Sequence, residues 1–406
     1  MSETLTYNVW SKSKIEDIID LRNEKYVPKK DENFKCIELE NIDRFTGNIS
    51  GYKNSINQRS TKNKFYYGDI LFGKLRPYLS KYWYAKFDGV CSSEIWVLKP
   101  KNKKIINSFL FYLVQTSRFI KICNISSGTK MPRADWSLVK KRIFSLPPLP
   151  EQQKIAQILS TWDQAIEKTE QLIEKKQLLK KGLMQQLLSG KVRFPEFIKT
   201  NDTFKTKFYN YPADWNYPKI KEIANQINEK NGTSENPPVL SCTKYEGLVD
   251  SLKYFGKQVF SKDLSTYKKV KYGQFAYATN HIEEGSIGYQ NMYDNALISP
   301  MYTVFETDKS KVNDTYLYKL LKTDLYIHIY QTRTKGTVSR RGSLRWNDFS
   351  NIRIPLPSKP EQDKIAEFFT KVEDDINKHM SFLGKLKQQK KGLMQQLLTS
   401  RIRVKI

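Results

Sequence analysis

Apolar residues recur three and four positions apart over two long stretches of this chain. The first carries Ile155, Ile158, Leu159, Trp162, Ile166, Leu172, Ile173, Leu179, Leu183 and Leu187, and the second Ile365, Phe368, Phe369, Val372, Ile376, Leu383, Leu386, Leu393 and Leu397. That spacing draws a single stripe on an α-helix. Pro148 and Pro150 suit a first helical turn, where a missing N–H costs nothing, and Glu151 suits the positive end of the helix dipole. A helix from 151 to 188 would be about 57 Å long at about 1.5 Å per residue, too long and too striped to stand alone in water. The two stretches are therefore expected to pack on each other as a coiled-coil-like pair.

The pattern elsewhere changes to short continuous or alternating apolar runs rich in Tyr, Phe, Val, Ile and Gly, which predict strands and turns. Tyr67-Gly68-Asp69-Ile70-Leu71-Phe72 and Tyr272-Gly273-Gln274-Phe275-Ala276-Tyr277 each read as a turn entering a strand. One short helical piece is expected in each half, over 108–119 and 314–326.

These correspondences are systematic. Trp10, Ile15 and Ile18 return as Trp215, Ile220 and Ile223, offset by 205. The block Lys180-Lys181-Gly182-Leu183-Met184-Gln185-Gln186-Leu187-Leu188 returns letter for letter as Lys390 to Leu398, within an ungapped match of 146–194 to 356–404 that is identical in 21 of 49 columns. The chain is thus two copies of one unit. The expected layout is a globular domain over 1–146, a spacer helix over 147–190, a second domain over 191–356, a second helix over 357–400 and a tail over 401–406. If a pseudo-twofold axis relates the copies, the helices run antiparallel. Gly182 and Gly392 each cost about 1 kcal/mol inside a helix. A close backbone approach, by the other helix or by another protein, would offset it.

Charge narrows the function. The formal net charge is +27, distributed as +13 over 1–150, +3 over 151–194, +7 over 195–359 and +4 over 360–406. An excess concentrated in the globular stretches is the footprint of a polyanion binder. The most basic turns are Ser127-Gly128-Thr129-Lys130-Met131-Pro132-Arg133 and Lys335-Gly336-Thr337-Val338-Ser339-Arg340-Arg341. Reading a duplex takes Arg, Lys, Asn, Gln or Thr on positioned loops, with other cations on phosphates. The candidates are Lys74, Arg76, Lys81, Lys130 and Arg133 in the first copy. In the second they are Asn280, Arg333, Lys335, Arg340, Arg341 and Arg345.

Catalytic signatures fail on inspection. Gly68 to Lys74 follows a phosphate-binding loop until Leu75, where Ser or Thr must hold magnesium. Asn236-Pro237-Pro238 is followed by Val239 instead of the aromatic residue of an amino-methyltransferase motif. The three histidines (His281, His328, His379) and four cysteines (Cys36, Cys91, Cys123, Cys242) make no motif of metal-ligand spacing. No catalytic residue and no metal site is expected in this chain. No run approaches about 18 apolar residues, and the first residues carry no leader pattern, so a cytoplasmic location is expected.

The Leu-Pro-x-x-Pro-Glu-Gln-x-Lys-Ile-Ala opening at 146 and 356 (Leu146, Leu356), the long helix, the Lys-Lys-Gly-Leu-Met-Gln-Gln-Leu-Leu ending and the half-chain repeat resemble the specificity subunit of type I restriction-modification systems. The resemblance covers nearly the whole length. It implies an α+β chain in which two mixed α/β target-recognition domains are separated by a long antiparallel two-helix spacer. Each domain would read one half of a split double-stranded DNA target. The resemblance further implies two docked modification subunits, which bind adenosylmethionine, and restriction subunits driven by ATP with magnesium; no cofactor is expected in this chain. Gly182, Gln185, Gln186, Gly392, Gln395 and Gln396 are the candidate partner-binding residues. The residues alone leave open a self-sufficient DNA methyltransferase or nuclease, and a basic coiled-coil adaptor for RNA or protein.

Overall fold

The computed structural model describes residues 9–125, 131–232, 236–334 and 343–406. The chain forms two compact units, one of residues Met1–Leu172 with Met380–Ile406 and one of residues Ile173–His379. The first unit joins two separate stretches of sequence and the second is one continuous stretch between them, so each long helix contributes to both.

The first unit is built on a four-stranded antiparallel sheet in the order Ile19–Leu21, Ile95–Pro100, Ile70–Gly73, Tyr82–Tyr84. The run Ile70-Leu71-Phe72 is fully buried, which is what a continuous apolar strand between two packed layers requires. A five-stranded sheet lies beside it, with one parallel pairing of Cys36–Ile37 against Val90–Cys91. The expected single helical piece is two short helices, Asn107–Leu113 and Ser117–Cys123, because the Thr116 hydroxyl accepts from the Phe119 N–H and starts a second helix there.

The second unit repeats this plan. Its four-stranded sheet runs Ala224–Ile227, Tyr302–Thr307, Phe275–Ala278, Ile287–Tyr289, again antiparallel throughout. Helices Asp314–Leu321 and Asp324–Thr334 take the place of the two short helices. The equivalent of the five-stranded sheet survives as separate strand pairs and a parallel bridge, Val239 to Leu297.

The long helices span Leu149–Leu188 and Lys359–Leu397. Within the first unit Asp163 pairs with Lys390, and Glu170 with Lys387 at 2.6 Å. Within the second, Lys176 pairs with Asp375, and Lys180 with Glu373 at 2.6 Å. In both, one residue number rises as the other falls, so the paired segments run antiparallel.

The seam follows a strict four-three alternation: Ile155, Leu159, Trp162, Ile166, Thr169, Ile173, Lys176, Lys180, Leu183, Leu187. The second helix matches it with Ile365, Phe369, Val372, Ile376, His379, Leu383, Leu386, Lys390, Leu393, Leu397, and all of these positions are buried or half-buried. The expected apolar stripe departs from this at Leu172 and Leu179, which are 41% and 62% exposed. The seam passes instead through the half-buried Lys176 and Lys180, whose ammonium groups reach Asp375 and Glu373.

Each helix ends in the other copy's territory. Leu187 and Leu188, from the first copy in sequence, are buried in the core of the second unit, with Leu183 and Met184 packed alongside. Leu397 lies in the core of the first unit, with Leu393, Met394 and Leu398 beside it. After the first helix Gly190 adopts φ +70°, and a Cβ there would stand 2.5 Å from Pro212 Cδ. In the other copy Ser400 takes the same left-handed conformation at φ 58°, which a non-glycine residue adopts at a cost of about 1–2 kcal/mol.

Candidate nucleic-acid interface

In the first unit the strand Ile70–Gly73 ends in an exposed loop, and its exit is fixed by backbone pairing. Lys74 N–H donates to Glu94 O at 3.0 Å, Arg76 N–H donates to Pro132 O at 2.7 Å, and Ala134 N–H donates to Lys74 O at 2.8 Å. The segment 74–76 is thereby zipped to 132–134, which brings Arg133 onto one rim with Lys74 and Arg76 although it lies far from them in sequence. Arg76 sits at φ 51°, a strained conformation for a non-glycine residue, and its side chain is exposed. Arg133 is exposed too, its guanidinium 3.0 Å from Glu94.

Lys81 is placed differently from the other candidates. Its ammonium turns inward to donate to the Leu39 carbonyl, and its pKa is pushed down by burial and by the nearby charge of Arg44. It supports the rim from beneath. Lys130 lies outside the described residues.

The second unit repeats the zipper at the equivalent place. Leu344 N–H donates to Thr279 O at 2.9 Å, matching Ala134 on Lys74. This sets Asn280, half-buried, beside Arg345, exposed at the start of the short helix Trp346–Phe349. Arg333 closes the group by donating to Asp348 O at 2.8 Å. Lys335, Arg340 and Arg341 lie outside the described residues.

The sequence reading missed several neighbours of these rims. The Arg44–Phe45 turn pairs with the loop, through a bridge from Arg44 to Lys81 and a bond from Phe45 N–H to Ser80 O at 3.0 Å. Phe45 is 66% exposed at φ 64°, and Tyr78 is 48% exposed in the same loop. Exposed aromatic residues among cations suit contact with base methyl groups or sugar faces. The only signal in the sequence was Phe45-Thr46-Gly47 as a turn, which carries no hint that the ring points outward.

The rims offer donors, cations and aromatic faces. His281, Glu283 and Glu284 stand with ligand atoms within 4.8 Å of one another, a grouping that their spacing in sequence had not suggested. His281 and Glu284 are exposed, whereas Glu283 Oε2 is buried with no hydrogen-bond partner among the described residues.

The two copies of the identical block expose the same face. Lys181, Gly182, Gln185 and Gln186 are exposed while Leu183, Met184 and Leu187 turn inward, and Lys391, Gly392, Gln395 and Gln396 repeat that division exactly one copy later. A Cβ added at Gly182 or Gly392 would meet nothing within 4 Å. The close approach by the other helix, one of two explanations for these glycines, is therefore not made. No helix among the described residues is long and apolar enough to cross a membrane.

Known proteins share this arrangement. The family profile of the type I restriction modification DNA specificity domain matches residues 8–176 and again 196–381. The type I restriction enzyme MjaVIII specificity subunit of Methanocaldococcus jannaschii is 28% identical over 330 residues, covering 78% of this chain and 75% of that protein. Among solved structures, the type I restriction-modification S subunit from M. genitalium superposes with a TM-score of 0.55 at 16% identity, covering 98% of both chains. A structure described as showing complex assembly and conformational transition of the type I R-M system gives 0.56 at 17%, covering 96% of this chain and 97% of that one. The chain belongs to the type I restriction-modification DNA specificity family, and is a DNA-recognition subunit with two specificity domains for a two-part target.

Proposed function

We propose that each unit reads one half of the target with the rim built around the zipped loops, and that the long helices set the gap between halves and dock two copies of a modification subunit. The observation that carries this is the pair of identical exposed faces, Lys181-Gly182-Gln185-Gln186 and Lys391-Gly392-Gln395-Gln396, on otherwise diverged units. Two identical faces call for two identical partners, and their bare glycines leave room for a close approach. Methylation and cleavage then belong to partner subunits, where adenosylmethionine, ATP and magnesium act, and the assembly works in the cytoplasm. The assembly described for the type I neighbour supports this reading.

The test is co-purification of the chain with a modification subunit, followed by native mass measurement and mapping of methylated adenines. Two modification subunits per chain and a methylated sequence in two separated parts are expected. Methylation or cleavage by the isolated chain would overturn the proposal.

A further inference from the structure

The second unit carries a two-stranded hairpin, Thr203–Lys205 paired with Asn210–Pro212, that belongs to neither the recognition rim nor the helix pair. It is rigidly built. The Thr206 hydroxyl donates to Tyr209 O at 2.7 Å and closes the tip. Phe204 packs on Tyr211 and Tyr217 at 6.0 and 5.8 Å, while Tyr211 stacks on Trp215 at 6.3 Å. Pro212 sits against Gly190 so closely that no side chain fits there.

This apolar base presents cations outward. Lys205 and Lys207 are exposed at the tip, and among the described residues neither is paired with a carboxylate. Asp214 is engaged by Arg193, and Asp202 accepts from the Thr200 hydroxyl and keeps its charge, but forms no ion pair with either lysine among the described residues. An open groove of about 740 Å³ runs below; Lys191, Lys205 and Lys207 in its lining outnumber the carboxylate of Asp202, and Thr200, Asn201 and Thr203 add small donors, a balance that suits a phosphodiester. The position is specific as well. Phe208 meets His328 edge-to-face at 6.2 Å, and His328 lies on the helix that ends at Thr334, immediately before the basic loop.

We infer that Lys205 and Lys207 grip the DNA phosphate backbone flanking the second half-site, adding affinity without reading bases. The inference rests on the DNA-reading function proposed above. Lysines that displace counterions from phosphates contribute to the salt dependence of binding, about 0.9 in the log–log slope for each phosphate neutralised.

The test compares the full-length chain with K205A/K207A and K205R/K207R, titrated by fluorescence anisotropy with a mixed-sequence DNA duplex across a potassium chloride series. The alanine pair should lower the slope by about 2, so that its binding changes about tenfold less than wild type between 50 and 200 mM salt. The arginine pair should keep the wild-type slope, and circular dichroism should be unchanged in both. An unchanged slope in the alanine pair overturns the inference. So does loss of modification-subunit binding with the slope intact, which would make the hairpin a protein-docking element. If wild type itself shows no salt-dependent DNA binding, the failure lies in the DNA-reading function and takes this inference with it.

Discussion

Arg193 and Glu361 stand 168 residues apart and form a bidentate ion pair at 2.8 and 2.8 Å, with Glu361 1% exposed. Arg403 makes the same pair with Glu151, at 2.6 and 2.7 Å. In each case the arginine that trails one copy is held by the glutamate that opens the helix of the other copy. Tryptophan closes both pairs, Trp215 donating to Glu361 and Trp10 to Glu151 at 3.2 Å. The next residue repeats too: Gln362 donates to Pro357 O and Lys311 O, and Gln152 to Pro147 O and Lys104 O. The exchange of helix ends is thus fastened by charge as well as by buried leucines.

Removing one partner of such a pair leaves an uncompensated buried charge, which costs about 3–5 kcal/mol. Arg193→Ala should therefore destabilise the second unit by about that much, since it strands Glu361 and also frees Asp214. Adding Glu361→Gln to the same chain should recover part of the loss. Urea titration followed by tryptophan fluorescence measures both; equal stability of the single and double variants would contradict the stranded-charge account.

Acid sensitivity follows from a second repeated contact. Glu373 receives Lys180 from the first helix and Lys319 from the globular part, as Asp163 receives Lys390 and Tyr112 in the first unit. Burial alone would raise the Glu373 pKa, but the hydrogen bonds from Lys180 and Lys319 outweigh it and hold the carboxyl below its ordinary value of 4.5. A depressed carboxylate stabilises the fold above its unfolded pKa, and that contribution is lost as pH falls through the folded value. Stability of the second unit should decline below about pH 4.5, and Glu373→Gln should flatten that decline while lowering stability at pH 7. Urea midpoints across pH 3 to 7 decide it.

Much of this was legible in the sequence because repeats and stripes are local patterns. The 3.6-residue periodicity gave the helix pair, and the duplicated block gave its ends. Lys176 and Lys180 show where legibility stops: an apolar stripe admits no lysine and runs through Leu172 and Leu179 instead. Only the positions of Asp375 and Glu373 across the seam make lysine admissible there. The recognition rims were half legible. Arg76 and Arg133 are candidates by their charge, but the hydrogen bonds that join their loops are long-range, and Phe45 and Tyr78 carry no charge to mark them.

The rim residues have separable effects. Arg76→Ala or Phe45→Ala should weaken methylation of sites through the first half of the target by about 1–3 kcal/mol of discrimination and leave the second half unchanged. Arg345→Ala should do the converse. Methylation mapping of the complex in each variant reads this directly; a change in both halves from one substitution would contradict independent reading.

The exposed glycines yield the most discriminating experiment, because stability and assembly should move in opposite directions. A Cβ at Gly182, Gly392 or Gly384 meets nothing within 4 Å, so each Gly→Ala change should stabilise its helix by about 1 kcal/mol. Gly384 lies outside the identical block and serves as the control. Gly182→Ala with Gly392→Ala should raise the melting temperature yet weaken binding of modification subunits, whereas Gly384→Ala should raise it with binding intact. A duplicated surface that keeps two residues unfavourable to its own helices is explained by a partner's close approach. If the double variant bound modification subunits as tightly as wild type, that explanation would fail, and the block's identity would have to be assigned to its inward face alone, where Lys180, Leu183 and Leu187 meet the other copy.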